Sequence, residues 1–207
     1  GPSAMSRHLA TATATANAAG ADADPAVVVP LADAQDAAIA GAKAAALARA
    51  DRAGMPVLPG FVLPPATARW LAGTAGPAGQ AGEDVVVATV RAAWSRLSDR
   101  GSRSLVVRSS STVEDGTDSS MAGRFTSVLD VRGWDGFLDA VREVVASGRE
   151  VHADLPAGGE MAVLVQPFLE PEAGGVMFGA DPVTGRRDRY VVAAVPGGPD
   201  RLVSGEV

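Results

Sequence analysis

The sequence contains no cysteine, which excludes a disulfide framework and any thiolate metal site. Its two histidines, His8 and His152, lie far apart in sequence, so a histidine-rich metal centre is not expected. No basic patch stands out, and the formal net charge of −6 with a pI near 4.9 argues against a nucleic-acid partner. No apolar run approaches the ~20 residues needed to cross a bilayer, so no membrane partner is expected either. The N-terminus lacks the basic region and apolar block of a secretory signal. A cytoplasmic protein is the resulting expectation. What the chain does have is size and apolar content. At 207 residues and 47% hydrophobic, it can fill the core of one large domain or two small lobes.

Gly1 to Ala4 ahead of Met5 reads as a tag remnant, and Ser6 to Asp24 has little to bury, so residues 1–24 read as a mobile tail. Apolar runs suggest strands at Val27–Leu31, Gly60–Leu63, Leu105–Val107, Ser127–Val131, Met161–Gln166 and Tyr190–Val195. Pro64-Pro65 would end the second of these. An alanine-rich helix is expected from Asp33 to Ala53, capped by Gly54 and stopped by Pro56. A short helix is expected over Thr67–Leu71 and a loop over Gly73–Glu83. Val86, Val90, Trp94 and Leu97 mark an amphipathic helix over Asp84–Asp99, with Trp94 in the core. Phe137, Leu138, Val141, Val144 and Val145 mark another, ending near Ser147-Gly148.

The most informative stretch runs from Leu105 to Leu129. Its apolar start reads as a buried strand that Arg108 ends, and a hydroxyl-rich loop from Ser109 to Thr112 follows, closing on Ala122-Gly123. A guanidinium fork suits phosphate oxygens. Small residues let backbone N–H groups approach the same oxygens. Such composition after a strand also suits an ordinary turn, and the residues alone leave both readings open.

Val107-Arg108-Ser109-Ser110, Thr112, Glu114-Asp115, then Ser120-Met121-Ala122-Gly123 and Ser127-Val128-Leu129 resemble the nucleotide-binding domain of the phosphoenolpyruvate synthase and pyruvate phosphate dikinase family, which includes rifamycin phosphotransferases. Gly41-Ala42-Lys43 with Leu47, followed by Val57-Leu58-Pro59-Gly60-Phe61, resembles that family's opening motif. The resemblance implies an α+β protein with ATP-grasp-like N-terminal lobes. A first lobe with the phosphate loop would span residues 25–160, and a hinge with the start of a second lobe residues 161–207. It implies ATP as ligand, with Lys43 and Arg108 on the phosphates, Met121, Ala122 and Gly123 cradling them, and Ser127 assisting. Arg108 would also be catalytic, stabilising charge as the phosphoryl group leaves. Gln166, Pro167, Phe168 and Leu169 would meet adenine. On residues alone, Lys43 reads as a surface lysine and Gln166–Leu169 as a strand leaving through a proline. Gly174–Phe178 and Asp181–Gly185 resemble part of the family's active-site wall, although Asp181-Pro182 is also a good turn initiator.

The family pattern continues past Val207, so the lobes read as incomplete at the C-terminal end. Magnesium is expected in the complete enzyme, yet the carboxylates that would hold it are not recognisable in this chain, and Glu114-Asp115 is no substitute. The phosphohistidine and acceptor domains are expected in cis or in trans. The resemblance therefore implies the ATP-binding portion of a phosphotransferase, not active alone, whose full enzyme passes a phosphoryl group through phosphohistidine to pyruvate or a small-molecule hydroxyl. The alternative is a stand-alone nucleotide-binding or protein-interaction module that has kept the fold.

Overall fold

The protein is described here from a computed structural model, which defines residues 26–76, 82–111, 126–152, 160–199 and 202. Residues 1–25, with the tag and tail readings, and residues 112–125, with Met121, Ala122 and Gly123, lie outside the described residues.

Among the described residues, twelve elements follow in order. Strand β1 (Val29–Pro30) leads through a 3-10 turn (Leu31–Asp33) to helix α1 (Ala37–Arg52). Strand β2 (Phe61–Leu63), helix α2 (Pro65–Leu71) and helix α3 (Glu83–Leu97) come next. Strands β3 (Leu105–Ser111) and β4 (Ser127–Val131) precede helix α4 (Gly133–His152). Strands β5 (Met161–Pro167), β6 (Ala173–Phe178) and β7 (Val191–Pro196) close the sequence of elements. Mixed helices and antiparallel strands make this an α+β fold.

The main sheet has five strands in the order β1-β2-β5-β3-β4, every pair antiparallel. Side chains alternate between its two faces. Phe61, Leu63, Leu105, Val107, Val163 and Val165 face helices α2, α3 and α4 and form the larger core with Val86, Val90, Trp94, Phe137, Val141 and Val144. Aromatic edges organise that layer. Phe137 lies 6.3 Å from Phe61 and 5.4 Å from Trp134, and Trp134 meets Trp94 edge-on at 5.5 Å. Trp94 is buried, as its helical spacing suggested. On the opposite face Val62, Ala162 and Leu164 pack against Leu31, Ala34, Ala40 and Ala44, so α1 brings mostly methyl groups.

Several element boundaries differ from the sequence reading. The first strand is shorter, and the alanine-rich helix starts only at Ala37, after a 3-10 turn over Leu31–Asp33. Pro65 does not merely end β2 but occupies the first turn of α2, where a missing N–H costs nothing. Arg108 does not end its strand: β3 continues through Ser109, Ser110 and Ser111, which pair with Val163, Ala162 and Met161. Their side chains are small enough for a sheet layer pressed from both sides, and Ser109 and Ser110 are buried. Helix α4 does not stop at Ser147-Gly148 but runs on to His152. A Cβ at Gly148 would meet Met161 Cε at 2.9 Å, so this glycine answers packing and not termination.

Strand β4 carries a bulge. Leu105 pairs with Val131 and Val107 with Val128, a shift in register between them, so two steps on β3 face three on β4. Asp130, at φ 50, adopts the left-handed conformation that aspartate tolerates better than most residues. The extra residue turns Val131 into the larger core.

β6 and β7 form a separate two-stranded sheet, Val176 opposite Ala193 and Met177 opposite Val192. The connecting segment turns at Asp181, whose Oδ1 accepts from Val183 N at 2.9 Å and Thr184 N at 3.2 Å. These bonds hold the Asp181 carboxyl below the ordinary carboxylate range. Asp181-Pro182 thus acts as a turn. β5, which opens the segment read as hinge and second lobe, is the middle strand of the main sheet.

Candidate functional site

The sheet face that α1 occupies is only partly covered. Pleating places Val106 and Arg108 on it, with Gln166 opposite Val106 and Ser127 opposite Arg108. α1 covers the region around Leu164 and Ala162. Beyond its reach lies an open cavity of about 400 Å³, lined by Leu58, Val106, Arg108, Ser127, Leu129, Gln166, Pro167, Phe168 and Leu169. Six residues singled out in the sequence, Arg108, Ser127 and Gln166 through Leu169, therefore share one cavity. Its two ends differ in chemistry: a guanidinium and a hydroxyl at one, an apolar wall at the other. That combination accepts an anionic group joined to a flat apolar one.

Three wall residues escaped the sequence reading. Leu58 and Leu129 belong to recognised motifs but had no assigned contact, and Val106 read only as strand. Leu129 is 49% exposed, unusual for a strand leucine. Alternation along the strand would have placed it on the face of Arg108 once the register was known.

Gln166 is buried, and its Nε2 donates to Leu58 O at 3.1 Å. Its amide therefore ties the Leu58 turn to β5. Phe168 N–H donates to Ser104 O at 3.0 Å, so that donor is also engaged. Asp130, next to Leu129, is held below the ordinary carboxylate range by hydrogen bonds from Arg132 and Ser104.

Lys43 does not line the cavity. α1 is interrupted at Gly41, whose φ of 80 and ψ of 159 are not helical, and Lys43 stands in the first turn after the break. Its Nζ donates to Ser109 O at 3.0 Å, the peptide next to Arg108. A compositional signal marks it: Lys43 is the only lysine among 18 basic residues. Where arginine fills every other cationic position, a single lysine calls for a local reason.

Among the described residues, no group of three or more His, Asp or Glu side chains could hold a metal ion, and the cavity wall contains no carboxylate. The described residues of this cavity therefore do not fit magnesium. Among the same residues, no helix is long and apolar enough to cross a membrane.

Comparison with known proteins gives the family. Residues 80–207 match the pyruvate phosphate dikinase AMP/ATP-binding domain, and the chain belongs to that family. It is 37% identical over 132 residues to a rifampicin phosphotransferase of a Streptomyces species, covering 60% of this chain and 15% of that protein. A probable phosphoenolpyruvate synthase of Pyrococcus horikoshii is 33% identical over 129 residues, 57% of this chain and 16% of that protein. The prodigiosin synthesizing transferase PigC of Serratia marcescens is 35% identical over 123 residues, 57% of this chain and 14% of that protein. The chain thus spans about a seventh of the length of these relatives. The family match includes Arg108, Ser127 and Gln166–Leu169 but begins after Lys43.

Proposed function

We propose that this chain is the ATP-binding portion of a dikinase-type phosphotransferase. The observation that carries the reading is the single cavity shared by Arg108, Ser127, Gln166, Pro167, Phe168 and Leu169. Adenine lies against Leu58, Val106, Leu129 and Leu169. Pro167 has no N–H and that of Phe168 is engaged, so Leu169 N–H is the donor of this segment for the base edge. Gln166 acts beside the base by fixing Leu58. Arg108 and Ser127 meet the phosphates, and Lys43 reaches them from the first turn after Gly41. The roles of Met121, Ala122 and Gly123 as a phosphate cradle rest on the motif alone.

In the complete enzyme, Arg108 stabilises charge on the departing phosphoryl group, because catalysis of this transfer is mostly positioning and electrostatics. The group then passes through a phosphohistidine domain to pyruvate or a small-molecule hydroxyl, on domains supplied in cis or in trans. The two-lobe division of an ATP-grasp-like fold is part of the proposal, with the boundary drawn after β5 because that strand completes the first sheet.

Calorimetric titration with ATP, with and without magnesium, tests the reading against the Arg108→Ala variant. Loss of a charge-assisted contact costs roughly 1.5–3 kcal/mol, so affinity should fall about tenfold or more. Saturable binding that Arg108→Ala leaves unchanged removes Arg108 from the site.

A further inference from the structure

Ser109 and Ser110 follow the arginine in what reads as a phosphate-binding sequence, yet neither reaches solvent. Both are buried in β3. The Ser110 hydroxyl instead accepts the backbone N–H of Ala44 at 3.2 Å, across 66 positions of sequence. That N–H belongs to the first turn after the break at Gly41, where helical amides have no partner within the helix. A cap residue normally satisfies such an amide from the same chain segment. Here Gly41 has no side chain to do so, and the strand supplies the oxygen.

The same glycine permits the approach. A Cβ at Gly41 would stand 2.2 Å from Ser110 O and 2.3 Å from Ser110 Oγ, so no other residue fits there without moving the helix. Lys43 lies between the two contacts, one residue from Ala44, with Nζ held to Ser109 O. Helix and strand are thus joined next to Arg108, and the join fixes where the lysine starts.

We infer that Ser110 is a positioning residue for Lys43, setting the spacing between the chain's only lysine and Arg108 while touching no nucleotide itself. This rests on the proposed ATP site for its consequence but not for its geometry. Removing the hydroxyl leaves Ala44 N–H buried without an acceptor, and the first turn of the helix shifts or frays to rehydrate it. Lys43 moves with that turn.

The test is a double-mutant cycle on the full chain, with Ser110→Ala, Lys43→Ala and their combination. Ser110→Ala should weaken ATP binding about three- to tenfold, the range for one lost buried hydrogen bond, and add nothing in the Lys43→Ala background. Equal weakening in both backgrounds overturns the proposal, as does no weakening in the native background. A second readout needs no nucleotide. Lys43 carries the chain's only lysine ε-amine, so its rate of reductive methylation, followed by peptide mass spectrometry, reports its restraint directly. Ser110→Ala should raise that rate severalfold, and an unchanged rate overturns the inference. If the native chain binds no ATP, the proposed function fails while the methylation arm still decides the role of Ser110. Ser110→Cys keeps the shape with a poor acceptor and should shift the rate in the same direction, which covers an Ala variant that folds badly.

Discussion

On one face of the main sheet, Phe61, Leu63, Val107 and Val165 meet three helices whose contacting side chains include Phe137, Trp94 and Val141. On the other, Val62, Ala162 and Leu164 meet the alanines of a single helix, and the remainder opens into the cavity around Arg108. The same strands build both. Large rings fill most of the first face, where a cavity of about 380 Å³ remains only at the edge beside Phe61, Ala93 and Leu97. Methyl groups bring the helix close to the second face but cover only part of it. Side-chain size therefore divides labour across one sheet, one side supplying cohesion and the other access.

This contrast can be broken most forcefully on the closed face. Phe137→Ala removes a fully buried ring between Phe61 and Trp134 and should cost about 3–5 kcal/mol, measured by chemical denaturation. If the denaturation midpoint barely moves, that face is not the stabilising one. On the open face, Arg108→Ala should leave the denaturation midpoint almost unchanged while lowering ATP affinity about tenfold or more. A comparable loss of stability would show that the cavity face also holds the fold together. A smaller effect belongs to the rim of the closed face, where Arg91 lies 5.2 Å above the Trp134 ring. Arg91→Ala should cost about 0.5–1 kcal/mol with no change in ATP affinity.

The smallest effect lies outside both faces, in the turn at Asp181. Its carboxyl titrates below the ordinary 3.8 because Val183 and Thr184 amides donate to it. A lowered value in the folded state means the turn gains from the charge above pH 3.8 and loses that gain as pH falls through the lower folded value. The amide shifts of Val183 and Thr184 should therefore titrate together with a midpoint under 3.8. A midpoint at or above it would mean that these bonds do not favour the charged form.

Local pattern made much of the architecture readable. The spacing of Val86, Val90 and Trp94 fixed a helix face, and the apolar runs at Phe61, Leu105 and Met161 fixed strands of the main sheet. The errors occurred where small residues answer distant neighbours. Ser109 and Ser110 look like loop residues because their hydroxyls suit turns, but β5 and α1 claim them. Gly148 looks like a helix end, but Met161 needs the space. Within the cavity, Arg108 and Gln166–Leu169 were found through a motif resemblance. Leu58 and Leu129 were not found, because their meeting depends on strand order and register that no short stretch encodes. Lys43 carried a clue of another kind, visible by counting the bases of the whole chain.

The bulge at Asp130 makes this site depend on parity. Leu129 faces the cavity and Val131 faces the core although they stand two residues apart, because the bulge at Asp130 interrupts the alternation between them. Without the bulge, plain alternation would put Leu129 and Val131, two residues apart, on the same side. Backbone conformation at this point is thus as much a determinant of the pocket as residue identity. Asp130→Val, which disfavours the left-handed conformation at φ 50, should weaken ATP binding, whereas deleting Asp130 makes Leu129 and Val131 neighbours on opposite faces and should leave titrations with ATP little changed.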